Sequence, residues 1–262
     1  MKYKRFVYSI ATAGVILSSV LLATGCSGQK SEETTLESEE LKEGKIVFAD
    51  GSEEVLKADS ESFDWNEWKA KKPVQVVLPE SVKVVPAYAF ANCRELESIV
   101  FTGEIQSIGE YAFCDCESLY HIDLPQGLTS IGMKAFSNCA RLDEIVIPEG
   151  VTVIESDTFM GCTSAKMIVL PQGLTSIGNN AFAKCMKVEA IGFPNSLTQI
   201  GERAFFNCKK LDEVHLPNSV TSIGKKAFKG CSSLTEIYSP VYLQGQLVLT
   251  EMPDECKIIY NE

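Results

Sequence analysis

One spacing governs this chain. A Phe recurs every 23 residues, at Phe90, Phe113, Phe136, Phe159, Phe182, Phe205 and Phe228, and a Cys follows three residues after each, at Cys93, Cys116, Cys139, Cys162, Cys185, Cys208 and Cys231. Self-similarity at a fixed period in the twenties marks a solenoid, whose units contact only their neighbours. The stretch Leu119–Cys139, LYHIDLPQGLTSIGMKAFSNC, shows what one period must do. Ile122 and Leu124 sit two apart and share one face of a short strand, while His121 and Asp123 face the other way. Leu-Pro-Gln-Gly, with Pro in second and Gly in fourth place, suits a type I turn. Leu128 and Ile131 return to the interior in a second extended piece, and Gly132 follows. Ala135, Phe136 and Cys139 then have the spacing of one helical turn. Before each Cys stands Asn92, Asp115, Asn138, Gly161, Lys184, Asn207 or Gly230, mostly the chemistry that stops a helix in a left-handed residue.

The pattern predicts seven repeats of 23 residues, mainly β with one short helical turn each, over residues 74–239. A single repeat cannot stand alone, because its apolar side chains find neighbours only when repeats stack. L-x-x-I-x-L-P-x-x-L-T-x-I-G-x-x-A-F-x-x-C resembles the BspA-like class of leucine-rich repeats, which implies a horseshoe solenoid. It departs from the common leucine-rich pattern, which carries Asn or Cys soon after the strand where this chain has Pro. Single repeats depart too: Pro86 and Glu155 replace the Gly, Thr102 the Pro and Thr158 the Ala. The fourth repeat, holding both Glu155 and Thr158, is expected to be locally irregular.

The solenoid needs atypical ends to cover its core. Residues 45–73 read as the first cap: KIVFADGSEEVLK is a hairpin about Asp50-Gly51, and Trp65 and Trp68 lie three apart on a short helix. A rival reading makes the two tryptophans a sugar or aromatic platform. Residues 240–262 read as the closing cap, with Gln246–Thr250 and Lys257–Tyr260 strand-like.

Residues 1–25 have a basic start (Lys2, Lys4, Arg5), an apolar run and a small-residue end, the layout of a secretory signal. Leu22-Ala23-Thr24-Gly25-Cys26 looks like a bacterial lipoprotein box, although such boxes usually carry Leu where this one has Ala23. The resemblance implies cleavage at Cys26, lipidation there and anchoring to the outer side of the bacterial membrane; the alternative is an uncleaved membrane helix. Residues 26–44 carry six Glu against two Lys and offer little to bury, so a disordered acidic tether is expected. With 24 basic and 35 acidic residues, three of the basic ones in the signal, the mature chain has a net charge of −14. That speaks against a nucleic-acid partner.

Ten cysteines on an exported chain raise the question of disulfides. Seven of them share one repeat position, where their side chains would point in parallel rather than at each other, and buried free thiols fit better. Catalysis finds no constellation: His121 and His215 fall four repeats apart, and no phosphate loop, paired-carboxylate cleft or metal cluster appears. No enzyme activity, metal or cofactor is expected.

Comparing the repeats with one another separates fixed from variable positions. The outward strand residues change freely along two rows: Gln75, Ser98, His121, Glu144, Met167, Ala190, Glu213, Glu236, and Val77, Val100, Asp123, Val146, Val169, Gly192, His215, Tyr238. The second extended piece instead repeats Thr129, Thr152, Thr175, Thr198 and Thr221. A curved stack binds through its strand face, so Val100, Asp123, Glu144, Val146, Met167, Val169, His215 and Tyr238 are the candidate contact residues. The outward valines also suit strands for their own sake. BspA-like proteins include surface proteins that attach to host matrix proteins or other cells. The resemblance therefore implies a surface-exposed lipoprotein that binds a host or neighbouring-cell protein; the alternative is an envelope lipoprotein scaffolding a cell-wall or membrane partner.

Overall fold

The computed structural model describes residues 43–57 and 63–261. The expected signal segment, Cys26 and nearly all of the expected tether lie outside these residues. Each 23-residue coil has three sides. On the first lie β3 (Pro73–Leu78), β5 (Ser98–Phe101), β7 (His121–Ile122), β9 (Glu144–Val146), β11 (Met167–Val169), β13 (Ala190–Gly192), β15 (Glu213–His215) and β17 (Glu236–Pro240). On the second lie the two-residue strands β4 (Val84–Val85), β6 (Ser107–Ile108), β8 (Ser130–Ile131), β10 (Val153–Ile154), β12 (Ser176–Ile177), β14 (Gln199–Ile200) and β16 (Ser222–Ile223). Except between the third and fourth coils, strands on both sides pair parallel from coil to coil, in register at the 23-residue period: Val169 beside Val146, Ile177 beside Ile200. The turn between the two sides runs from Pro to the interior Leu, closed by Leu128 N donating to Pro125 O at 3.0 Å. Pro is thus first and Gly third in the turn, one place earlier than the sequence pattern suggests.

The third side is a run of tight turns whose backbone groups alternate in direction. Cys114 and Cys116 donate back within the coil to Tyr111 and Phe113, while Tyr111, Phe113 and Asp115 donate to Met133, Ala135 and Ser137 of the next coil. The helical spacing of Ala135, Phe136 and Cys139 thus becomes i→i+3 turns stitched along the stack. The residue before every repeat Cys has positive φ, from Asn207 at 59° to Gly161 at 80°. A second left-handed column lies four residues earlier: Tyr88, Tyr111, Lys134, Asp157, Asn180, Arg203 and Lys226. Such a conformation costs a bulky residue energy, and here the N–H it aims at the next coil offsets that cost.

Inside, the seven phenylalanines are buried and their rings stack at 5.2–5.6 Å, tilted by 2–11°. The seven cysteines beneath them are buried and free. From Cys116 onward each Sγ donates to the Phe carbonyl of the preceding coil, as from Cys139 to Phe113 at 3.2 Å. The same carbonyl accepts the backbone N–H of its own repeat's Cys. A thiol therefore fills volume and also satisfies the second lone pair of a buried carbonyl, which an alanine would leave bare.

The glycine after each interior Ile is needed for close approach. A Cβ there would lie 2.4 Å from Ala87 N at Gly109, 2.5 Å from Glu110 N at Gly132 and 2.2 Å from Glu202 N at Gly224. Pro86 is tolerated in the first coil, where no coil precedes it to receive an N–H. Thr158 does not disturb the fourth coil, because its hydroxyl donates to Glu155 O at 2.8 Å and Phe159 keeps its place in the ring stack. The irregularity there has another source, Glu155, taken up below.

At the amino end β1 (Gly44–Phe48) and β2 (Glu53–Leu56) pair antiparallel, and β1 adds to the edge of β3. The helix α1 (Trp65–Ala70) starts at Asp64, whose carboxylate accepts from Asn66 N and Glu67 N. It buries Trp68 and sets Trp65 edge-on against Phe90 at 5.4 Å, so both rings close the core rather than form a platform. At the other end residues 241–250 are helical, with α2 (Gln244–Leu247) between two 3₁₀ turns. This corrects the strand-like reading of Gln246–Thr250: Leu243 and Leu247 are one turn apart and both buried, and that burial outweighs the β-branched composition. The Gln246 side-chain amide stands in for a missing coil, accepting from Ile223 N at 2.7 Å and donating to Thr221 O at 3.0 Å. Beyond it β18 (Lys257–Asn261) extends the first side, pairing with β17 at a spacing of 21 residues.

Candidate interaction face

Alternation along the first-side strands turns Ile145, Ile168, Ile191, Val214 and Ile237 inward and leaves their neighbours outward. Parallel register then fixes who meets whom. Glu144 lies beside Met167 and Val146 beside Val169; the two valines are exposed. Further on Ala190 adjoins Glu213, and Gly192 adjoins His215. Gly192 has open space where a Cβ would be, leaving a notch between the valines and the His215 ring. His215 stacks on Tyr238 with ring centroids 4.3 Å apart and 7° between planes. Its Nε2 contacts the Glu213 carboxylate, and Tyr238 Oη donates to Glu236 at 2.8 Å. That bond raises the Tyr238 pKa above the usual phenol range, since ionising the ring would place two anions together.

Six of the eight candidate residues, Glu144, Val146, Met167, Val169, His215 and Tyr238, share one continuous sheet, β9 to β18. The other two do not join them. Val100 belongs to the separate sheet β2-β1-β3-β5-β7, and Asp123 lies just past the end of β7, bonded to His121 at 3.1 Å. The face thus reads, from the fourth coil on, as an apolar centre, a notch, and an aromatic pair held between two carboxylates.

On the second side the threonines are structural. Thr129, Thr175, Thr198 and Thr221 donate their hydroxyls to the carbonyl one coil back, as Thr175 does to Thr152 at 3.0 Å. Burial pushes the repeat thiols up, to about 12 at Cys93 and Cys231 and well above 9.0 at the five between them, which removes them as nucleophiles. Cys114, off the ladder and half-buried, is also pushed up to about 12, by burial and then by its bond to Asp115. Among the described residues, no three or more His, Cys, Asp or Glu side chains are placed to hold a metal, and no helix is long and apolar enough to cross a membrane.

A family model described as the BspA type leucine rich repeat region matches residues 65–166 and 152–246, in six copies. The chain belongs to this family. A leucine-rich repeat protein of T. pallidum is 31% identical with a TM-score of 0.60, over 71% of this chain and 87% of its own. A leucine-rich repeat protein of Bacteroides ovatus is 22% identical with a TM-score of 0.47, over 72% of this chain. This chain spans 66% of that protein's length. A leucine rich cell surface protein of Faecalibacterium prausnitzii is 20% identical with a TM-score of 0.42, over 72% of this chain and 79% of its own. No curated protein matches the chain. The BspA-type fold is therefore a mainly β solenoid with little helix, a scaffold typical of protein-interaction modules.

Proposed function

We propose that this BspA-type protein is a surface-exposed lipoprotein, anchored through Cys26, whose strand face binds a protein of a host or neighbouring cell. The observation that carries the reading is the contrast between sides. Most threonine hydroxyls, alternate turn-side N–H groups and the interior rings hold coil to coil, whereas the outward strand side chains, the His215–Tyr238 stack apart, take no part in joining coils and vary from coil to coil. Exposed apolar side chains rimmed by Glu144, Glu213 and Glu236 suit a partner with an apolar patch and basic residues around it.

The test compares two triple variants of equal charge. One carries Val146, Met167 and Val169 changed to Lys; the other carries Val153, Gln199 and Ser222, outward on the second side, changed to Lys. The threonines would make a poor control, since their hydroxyls are bonded. Binding to intact cells and to a panel of purified matrix proteins should fall about tenfold or more in the first variant and hold in the second, as truncating central contacts costs at least ~1.4 kcal/mol. Loss in the second variant alone would mean the wrong surface. Equal binding by both, with no release of the domain when intact bacteria are shaved with protease, would favour an envelope scaffold. Anchoring has its own test: Cys26→Ser should abolish incorporation of a fatty-acid analogue, and equal labelling would refute it.

A further inference from the structure

Both sheets break at the same junction. The first side divides between β7 and β9, the second between β8 and β10, so the third and fourth coils share neither ladder. At every other junction from the first to the seventh coil, the residue in the glycine column donates its N–H to the interior Ile or Val one coil back: Gly109 to Val85, Gly132 to Ile108, Gly178 to Ile154, Gly201 to Ile177, Gly224 to Ile200. Glu155 has no such bond to Ile131. The backbone N–H of Gln106, Thr129, Thr175, Thr198 and Thr221 likewise donates one coil back, and Thr152 again does not. Nor does its hydroxyl reach Thr129 O, although Thr175, Thr198 and Thr221 make the equivalent bond. Asp143 Oδ1, at the start of β9, is buried with no partner.

Glu155 explains the coincidence. At Gly132, Gly178, Gly201 and Gly224 a Cβ would come within 2.2–2.7 Å of the preceding coil's backbone. Glu155 carries that Cβ between two coils, so coils three and four stand apart on this side. They stay joined on the turn side, where Lys134, Phe136 and Asn138 donate to Ser156, Thr158 and Met160 at 3.1, 2.8 and 2.6 Å. They also close in at Gly150, whose added Cβ would sit 2.5 Å from Leu128 O. The result is a weakened seam without a strand ladder on either side, held by the turn side, by the Phe136–Phe159 ring stack and by one first-side bond, Asp143 N donating to Tyr120 O at 3.2 Å.

We infer that Glu155 makes this junction the weakest interface in the solenoid, and that the chain opens there into two blocks, the first cap with coils one to three and coils four to seven with the closing cap. The seam also separates His121 and Asp123 from the apolar centre of the strand face. The blocks can be told apart because both tryptophans, Trp65 and Trp68, lie in the first. In urea, tryptophan fluorescence reports the first block and far-UV circular dichroism reports both. Their transitions should separate in the parent and coincide in Glu155→Gly, which restores the glycine column. Hydrogen exchange on the same proteins gives a second reading. Amides of Thr152 and Glu155 should exchange at least about fivefold faster than those of Thr175 and Gly178, the factor expected for a missing hydrogen bond. In Glu155→Gly the amides at 152 and 155 should slow to match. Coincident transitions in the parent with even exchange across coils three to five would overturn the inference. So would a separation that Glu155→Gly leaves unchanged. Neither result depends on what the strand face binds.

Discussion

The ladder of buried thiols makes stability depend on alkali in a way that can be worked out from the structure. An unfolded cysteine ionises near pH 9, whereas burial holds Cys116, Cys139, Cys162, Cys185 and Cys208 protonated well above that. Below the unfolded value both states carry the proton and nothing changes. Above it the unfolded chain gives up its protons while the folded one keeps them, so stability falls as pH rises, until the folded pKa is passed. At one unit above the unfolded value each thiol contributes about 1.4 kcal/mol of this loss. The five enclosed thiols together forfeit about 7 kcal/mol at pH 10, comparable with the ~5–15 kcal/mol that holds a typical domain. Cys93 and Cys231, pushed up to about 12, act in the same direction. The measurement is urea unfolding in reductant from pH 7 to pH 10, followed by circular dichroism. The comparison is Cys162→Ala with Cys185→Ala: less stable at pH 7, but losing about 2.8 kcal/mol less between pH 7 and pH 10, two thiols at about 1.4 kcal/mol each. Lysines and tyrosines titrate alike in both proteins, so the difference in slope belongs to the thiols. Stability flat from pH 8 to 10, or equal slopes in parent and variant, would refute the reasoning.

Two further predictions concern packing and ends. Phe182→Ala removes a ring stacked on both sides at 5.6 Å and should cost about 3–5 kcal/mol in denaturant unfolding. Gln246→Ala strips the side chain that stands in for an eighth coil, leaving Ile223 N and Thr221 O without their partner; about 1–3 kcal/mol should be lost, with faster amide exchange at Ile223.

Much of the fold is legible because each coil repeats the same physical problem. The Phe and Cys columns, the inward Ile column and the left-handed stop before each Cys follow from one period and from residue chemistry. The pairing of Val146 with Val169 and of His215 with Tyr238 follows from the period alone. What is hidden has identifiable reasons. The second left-handed column carries Tyr, Lys or Arg at five of its seven places, so its conformation is imposed by the bond to the next coil and leaves no consistent Asn or Gly mark. The turn register depends on which carbonyl accepts, which one residue of slack in Leu-Pro-Gln-Gly conceals. In the closing cap, Val248 and Leu249 suggest a strand, but burial of Leu243 and Leu247 selects a helix. The division of the strand face is hidden too, since Val100 and Asp123 continue the same rows as Val146 and Val169 in sequence and stop doing so at the seam.

Glu155 shows why the strand face is where this architecture is free to acquire function. In a solenoid a residue can vary without structural cost only where no group reaches the neighbouring coil. The glycine column fails that condition: one side chain there coincides with the loss of both ladders at its junction. The threonine column fails it through its hydroxyl bonds, and the turn side through N–H groups that point along the stack. On the strand face the backbone alone makes the ladder. Changing Glu144 into Met167, Ala190 and Glu213 in successive coils therefore leaves β9 to β15 in perfect 23-residue register. A surface whose chemistry is rewritten three times in four coils without disturbing the ladder beneath it is one on which recognition can be built coil by coil.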